Sequence, residues 1–380
     1  MEAIDKLRML SSACQLETAD DESHSDAQGS LAGVILSHAI LPNGKRIPLL
    51  KSLLTSVCEN NCYYCPMRSG RDFRRTTFLP EDFAKIAVRL TRAGLIQGIF
   101  LSSGVVGGGI QTQDRMIAAA EILRNTYQYN QYLHIKIMPG AQFDQILACM
   151  RLADRVSINL EAPNASRLEK LAPRKDFEYE LMRSIQAIHH IRIEFSPALT
   201  KNNRWPSAST QFVVGGAEES DVELITSAET LHHRYHFSRV YYSPLSPQAD
   251  TPFSNHTPIP LARQHRLYQA DFLIRDYGYT LNDLFFNEDG MLPLSSDPKK
   301  IWAEHNLIHQ PVEINRASRI ELMRIPGIGP KYAEMIMKVR KWNTIQDLST
   351  LKKIGVHVEV TKKFIMLNGK RPIRQLSLFY

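Results

Sequence analysis

Ser56-Val57-Cys58-Glu59-Asn60-Asn61-Cys62-Tyr63-Tyr64-Cys65-Pro66 is the stretch on which the reading of this 380-residue chain turns. Three of the five cysteines fall here in C-x3-C-x2-C spacing, while Cys14 and Cys149 stand alone and read as free or buried thiols. That distribution argues for ligation rather than for a disulfide framework. Three thiolates so close together hold a soft metal, either zinc or an iron–sulfur cluster. A structural zinc site wants a fourth ligand, and no paired Cys or His knuckle follows within reach. A four-iron cluster with three protein ligands leaves one iron open, which is useful only if something else binds it.

Outward from this loop, the pattern alternates between strand and helix. Ile47 to Ser56 reads as an extended stretch feeding the cysteines, and strands are expected at Gly98–Ser102, Leu133–Met138, Val156–Leu160, Thr210–Val214 and Val240–Ser243. Between them lie helical patterns at Phe83–Arg92, Thr112–Asn125, Phe143–Leu152, Tyr179–His190 and Asp221–His233, and Leu261–Tyr277 reads as a covering helix. Six βα units without a hairpin signal predict parallel strands with right-handed crossovers, closed only in part. The active site is then expected at the C-terminal ends of the strands, where the cysteine loop emerges.

Cys58, Cys62, Tyr64 and Cys65 match the C-x3-C-x-aromatic-C signature, and on them the chain resembles the radical S-adenosylmethionine (radical SAM) enzymes. The resemblance implies a [4Fe-4S] cluster on Cys58, Cys62 and Cys65, with S-adenosylmethionine on the open iron and an external reductant such as flavodoxin or ferredoxin. It further implies that Ser102-Ser103-Gly104, in place of the family's Gly-Gly-Glu, meets the cofactor's amino group without the acidic contact. Ser157, Asn159 and Glu161, alternating along one strand face, would point into the barrel toward ribose or the methionine end. Gly215 and Gly216 would let backbone approach the adenine, with Tyr64 near that ring. Tyr241, Tyr242, Lys136, Arg174 and Lys175 are read as packing or surface charge before pocket lining.

The C-terminal segment differs in charge. Residues 311–380 carry 14 Lys and Arg against 5 Asp and Glu, a net of +9, so the chain total of +7 leaves −2 for the first 310 residues. A basic module on a near-neutral body suggests a polyanion contact. Within it, Ser318-Arg319-Ile320-Glu321 is a capping box, and Pro326-Gly327-Ile328-Gly329-Pro330 closes one short helix and opens another. This resembles a helix-hairpin-helix motif. The resemblance implies phosphate contacts at Gly327, Gly329 and Lys331, and in a weaker second copy at Lys352, Lys353 and Gly355, whose closing helix is expected at Glu359–Leu367. Such hairpins hold duplex DNA by its backbone.

The remaining sequence sets limits. Hydrophobic residues make up 43% and charged residues 22%, no run approaches a membrane span, and Met1-Glu2-Ala3-Ile4-Asp5-Lys6 is no secretory signal, so a cytoplasmic protein without membrane contact is expected. The acidic stretch Glu17–Ser30 should not pack, and the helical pattern of Ile4, Leu7 and Leu10 before it should dock weakly or not at all. The expected organisation is an N-terminal segment over 1–35, partly disordered, and an α/β core over 36–290 with a partial (βα)6 radical SAM barrel. A linker over 291–310 and a small all-α helix-hairpin-helix domain over 311–372 follow. The two modules together resemble radical SAM proteins of a DNA modification or repair family linked to uracil-DNA-glycosylase-like proteins. That resemblance implies radical chemistry on a nucleotide in DNA, with RNA modification or a non-catalytic DNA-binding redox sensor as alternatives.

Overall fold

Each strand of the barrel follows its predecessor in the sheet, because each apolar run is succeeded by a helix that returns the chain. The computed structural model describes residues 2–14, 29–31, 34–40 and 44–372. The strands are β1 (Gly29–Leu31), β2 (Val34–Ile40), β3 (Arg46–Leu53), β4 (Gly98–Ser102), β5 (Tyr132–Lys136), β6 (Arg155–Ser157), β7 (Ser207–Val214) and β8 (Arg239–Pro244), in sheet order β1 to β8. From β3 to β8 all pairings are parallel, as the alternation predicts. Among the described residues β8 has no partner beyond β7, so the sheet curls as an open partial barrel.

The helices up to the last barrel strand are α1 (Ala3–Ala13), α2 (Pro80–Arg92), α3 (Gly108–Glu121), α4 (Phe143–Leu152), α5 (Ala165–Leu171), α6 (Arg183–Glu194) and α7 (Asp221–His233). α2 shows why they form. Pro80 opens it, Glu81 and Asp82 occupy its first turn and Arg89 and Arg92 its last, and Phe83, Ala84, Ile86 and Ala87 turn one face inward. β4, with all five residues buried, is the apolar run expected of a strand covered on both sides.

One expectation is corrected here, and elements that the sequence reading did not name are added. α1 does dock: Leu7 and Leu10 are fully buried, and Lys6 Nζ donates to the Thr77 carbonyl at 3.0 Å. β2 pairs antiparallel to β3 and β1 to β2, extending the sheet beyond six strands. α5 was hidden because its seven residues are too few to show periodicity; the Asn164 side chain caps it by accepting from Arg167 N–H. Of the acidic stretch expected not to pack, residues 17–28 lie outside the described residues.

Residues through Glu219 with Thr230–Ile259 form one compact unit, and Ser220–Glu229 with the chain from Pro260 onward form a second. α8 (Leu261–Tyr277), read from sequence as part of the barrel domain, therefore groups with the C-terminal unit. That unit continues with α9 (Pro298–Asn306), β9 (Val312–Glu313), α10 (Arg319–Arg324), α11 (Pro330–Val339), α12 (Leu348–Ile354), α13 (Val358–Thr361) and β10 (Ile365–Met366). Within this unit the Arg324 guanidinium lies over the Tyr279 and Trp302 rings at 4.7 and 4.6 Å and donates to Asp283 at 2.9 Å. The last hairpin also departs from expectation. The α-helix gives way to a 3-10 turn over Lys362–Phe364 and ends there, because Ile365 and Met366 pair with Val312 and Glu313 in a short parallel ladder. Among the described residues no helix is long and apolar enough to cross a membrane.

Candidate functional site

The cysteine loop is an excursion with a closed neck. Where β3 ends, Ser56 N–H donates to the Thr76 carbonyl at 3.0 Å, and the Thr55 and Thr77 hydroxyls meet at 2.6 Å. Arg75 fastens the interior: its guanidinium donates to the carbonyls of Ser56 (2.9 Å), Met67 (3.0 Å), Arg68 (2.8 Å) and Arg71 (3.2 Å). The loop also leans on its neighbours. Glu59 N–H donates to the Val105 carbonyl at 2.9 Å, its carboxylate accepts from Gly108 N–H at 2.8 Å, and Tyr63 N–H donates to the Leu171 carbonyl at 2.7 Å. Gly104 must be glycine, since a Cβ there would lie 2.2 Å from the Val57 carbonyl oxygen.

Cys58, Cys62 and Cys65 face one pocket together with Tyr64, Ser103, Gly104, Asn159 and Glu161. The other sequence candidates are not part of this lining. Ser102 is fully buried in β4, and Ser157 Oγ meets His134 Nε2 at 2.9 Å. Gly215 N–H donates to Glu219 at 2.6 Å while its carbonyl accepts from His256 Nε2 at 2.6 Å; Gly216 is packed against Leu171. The expected alternation from Ser157 to Glu161 fails because β6 stops at Ser157 and Glu161 takes φ +65°, so the adjacent Ile158 and Asn159 both reach the pocket.

Lys136 and Lys175, set aside as surface charge, line the pocket as well, as does Gln211. Lys175 Nζ lies 2.9 Å from Glu161 Oε1, with side-chain exposures of only 9% and 4%. The Tyr64 phenol is hydrogen-bonded to the same carboxylate. Burial alone would raise the Glu161 carboxyl, but the Lys175 and Lys136 charges and the Lys175 and Tyr64 hydrogen bonds hold it below the ordinary carboxylate range. Burial tends to lower the Lys175 ammonium, and Glu161 reverses this and drives it upward. Gln211 follows Ser209 and Thr210 in β7, so nothing in that polar half of the strand set it apart in sequence. Nothing in Pro173-Arg174-Lys175-Asp176 distinguished Lys175 from a solvated lysine. Tyr241 and Tyr242 are buried within β8, and Arg174 donates to the Glu59 carbonyl at 2.7 Å.

The thiols fit a metal centre. Burial pushes Cys65 up to about 12 and raises Cys62 as well, so each thiol needs a cationic partner to become a thiolate. Asn61 Oδ1, between the first two cysteines, is buried without a hydrogen-bond partner. Among the described residues no three His, Cys, Asp or Glu side chains are gathered as for a single ion. A four-iron cluster does not require that, since each of its cysteines ligates a different iron.

In the second unit, the Ser318 capping box is present, with Ser318 Oγ accepting from Glu321 N–H and the Glu321 carboxylate accepting from Ser318 N–H. Gly327 sits at φ +86°, where a Cβ would meet Thr361 Oγ1 at 2.7 Å, and Gly355 at φ +97° ends α12. Gly329 caps α11 ahead of Pro330. The two hairpins lie side by side: Thr361 Oγ1 donates to the Pro326 carbonyl at 3.0 Å, and a Cβ on Gly355 would come within 3.1 Å of the Tyr332 ring. Lys331, Lys352 and Lys353 are exposed. Sequence reasoning missed Lys299, which donates to the Ile328 carbonyl of the first hairpin at 2.7 Å and lies over the Tyr277 ring.

Comparison with known proteins agrees with both halves. Residues 52–231 match the radical SAM superfamily, and residues 308–358 match the helix-hairpin-helix motif. The chain therefore carries a radical SAM domain followed by a helix-hairpin-helix motif. Members of the radical SAM superfamily use a [4Fe-4S] cluster and S-adenosylmethionine. No curated protein matches the chain. Similar solved structures include HydG, a maturase of the FeFe-hydrogenase, at 12% identity over 60% of this chain and 49% of that one, with a TM-score of 0.46. Methylornithine synthase (PylB) follows at 13% identity, 60% and 62% coverage and a TM-score of 0.46. A radical SAM methyltransferase from Sphaerobacter thermophilus has 17% identity, 63% and 70% coverage and a TM-score of 0.44. The chain spans about half of the HydG chain and about three fifths of the PylB chain.

Proposed function

We propose that this protein cleaves S-adenosylmethionine reductively and uses the resulting radical to modify or repair a nucleotide in DNA. The observation that carries the reading is the pocket itself, where three cysteine side chains of one fastened loop face a floor of paired charge. Cys58, Cys62 and Cys65 would hold the [4Fe-4S] cluster. When bound, cluster and S-adenosylmethionine together supply a 5′-deoxyadenosyl radical that removes a hydrogen atom from substrate.

The chain's own residues bind and orient. Ser103 spends its hydroxyl on the Gly104 carbonyl at 2.8 Å, so the backbone here, not an acidic side chain, would meet the cofactor's amino group. Asn159, hydrogen-bonded to Gln211 at 3.4 Å, presents amide groups suited to ribose hydroxyls. Glu161 is committed to Lys175 and Tyr64, so it holds the cysteine loop against the end of β6 and is not a free acceptor. Tyr64 is thereby fixed, which orients the loop between Cys62 and Cys65.

The paired hairpins, with exposed Lys331, Lys352 and Lys353, support DNA as the polyanion, gripped through its backbone. A base inside an intact duplex is shielded, so the target is extruded or already unpaired. The repair setting and an association with a uracil-DNA-glycosylase-like protein belong to the same proposal. The test is anaerobic incubation of the reconstituted protein with damaged and modified DNA, followed by mass spectrometry of the nucleosides. An altered nucleoside that requires S-adenosylmethionine is expected; unaltered DNA across substrates that the protein binds would refute it.

A further inference from the structure

Between β4 and α3 the chain runs through Gly104-Val105-Val106-Gly107-Gly108-Gly109, a stretch with four glycines and no charged or hydroxyl side chain. α3 therefore starts without a cap of its own. Gly107, in the left-handed region at φ +70°, has no side chain to offer, and the first turn of the helix carries no acid. The missing carboxylate comes from the cysteine loop: Glu59 Oε1 accepts from Gly108 N–H at 2.8 Å and Oε2 from Gly107 N–H at 3.3 Å, across 49 and 48 positions of sequence. Open N–H groups and the helix dipole both favour a negative charge there.

This carboxylate completes a set of ties between the two segments. Gly104 N–H donates to the Thr55 carbonyl at 2.8 Å, and Glu59 N–H donates to the Val105 carbonyl at 2.9 Å. Val105 N–H in turn donates to Cys58 Sγ at 3.5 Å. The stretch is backed from another side by Pro139, whose carbonyl oxygen would lie 1.8 Å from a Cβ on Gly109, and Arg174 holds Glu59 by its carbonyl at 2.7 Å. An N–H aimed at a ligating sulfur draws electron density from it and makes an iron–sulfur cluster easier to reduce. We infer that Glu59 is a positioning residue for the cluster: by holding the start of α3 it keeps the Val105 N–H on Cys58 and the Gly104 backbone where it would meet the cofactor. One side chain then sets both the cluster's potential and the affinity for S-adenosylmethionine. This rests on Cys58, Cys62 and Cys65 holding the cluster. Glu59 is exposed, so its cap contributes little to overall stability and its removal alters position more than folding.

The test compares two neutral variants of the full, reconstituted chain, Glu59→Gln and Glu59→Ala, by potentiometric titration followed through the EPR signal of the reduced cluster. Both remove the charge equally, but only glutamine keeps an acceptor for the Gly108 N–H. E59A should therefore be reduced at a lower potential than E59Q and bind S-adenosylmethionine roughly tenfold more weakly. Equal potentials and equal affinities in the two variants, at full iron content, would overturn the clamp. Should E59A take up less iron, amide hydrogen exchange over residues 103–108 in the chain without cluster reads the same clamp: exchange should be faster in E59A and at the wild-type rate in E59Q. Wild-type exchange in E59A would overturn the clamp as well. A wild-type chain that takes up no iron would overturn the cluster reading and the inference with it.

Discussion

In the first unit Lys175 and Glu161 are withdrawn from water and face each other at 2.9 Å, whereas in the second unit Lys331, Lys352 and Lys353 stand in solvent around two glycine hairpins. The difference lies in what each charge is balanced against. Inside the pocket every ionised group needs a specific partner, because desolvation there costs several kcal/mol per ion. At the hairpins water and counterions balance the lysines, and a polyanion would bind by releasing those counterions. Point changes in the pocket should therefore be all-or-none, and changes at the hairpins graded and sensitive to salt.

The largest effect is expected at the cysteines. Cys62→Ser should abolish cluster assembly and S-adenosylmethionine cleavage, read as iron content and 5′-deoxyadenosine, while DNA affinity falls little. Next comes the ion pair. Lys175→Met leaves a carboxylate buried without its cation and should cost about 3–5 kcal/mol of stability in chemical unfolding, whereas Lys175→Met with Glu161→Gln should cost much less. The sign with pH follows from Glu161, whose folded value is depressed. Its contribution is complete above the ordinary carboxylate value and is lost as pH falls through the lower folded one, so in the wild type stability should drop on acidification and in the double variant this component should vanish.

Smaller effects belong to the hairpins. Gly327→Ala places a Cβ at positive φ and 2.7 Å from Thr361 Oγ1, which should cost about 1–3 kcal/mol and weaken DNA binding through the distorted hairpin. Lys352→Gln should do least, leaving the fold unchanged and lowering the salt slope of DNA binding by about 0.9. An abrupt loss of DNA binding in that variant would show that the hairpin charges act as a specific lock and not as a counterion-release surface.

The same contrast explains what was legible in the sequence. The cysteine spacing, the capping box at Ser318 and the glycines at 327 and 355 were readable because each answers a local constraint: ligand spacing, an orphan helix N–H, a positive φ. The parallel strands were readable because apolar runs alternate with amphipathic helices. Lys175 and Glu161 were not, since their pairing depends on a turn after β6 that brings together positions fourteen residues apart. α1 was underestimated because its partners, β2 and β3, are distant in sequence and its own apolar stripe is short. The end of the second hairpin was misread for a similar reason, as Ile365 and Met366 answer to Val312 and Glu313 and not to their helical neighbours.

The most direct test of the central claim is 5′-deoxyadenosine formation by the anaerobically reconstituted, reduced protein, with and without DNA. Cleavage of S-adenosylmethionine that depends on Cys58, Cys62 and Cys65 and rises when DNA is added is the expected result. A protein with an intact cluster that releases no 5′-deoxyadenosine under either condition would contradict it.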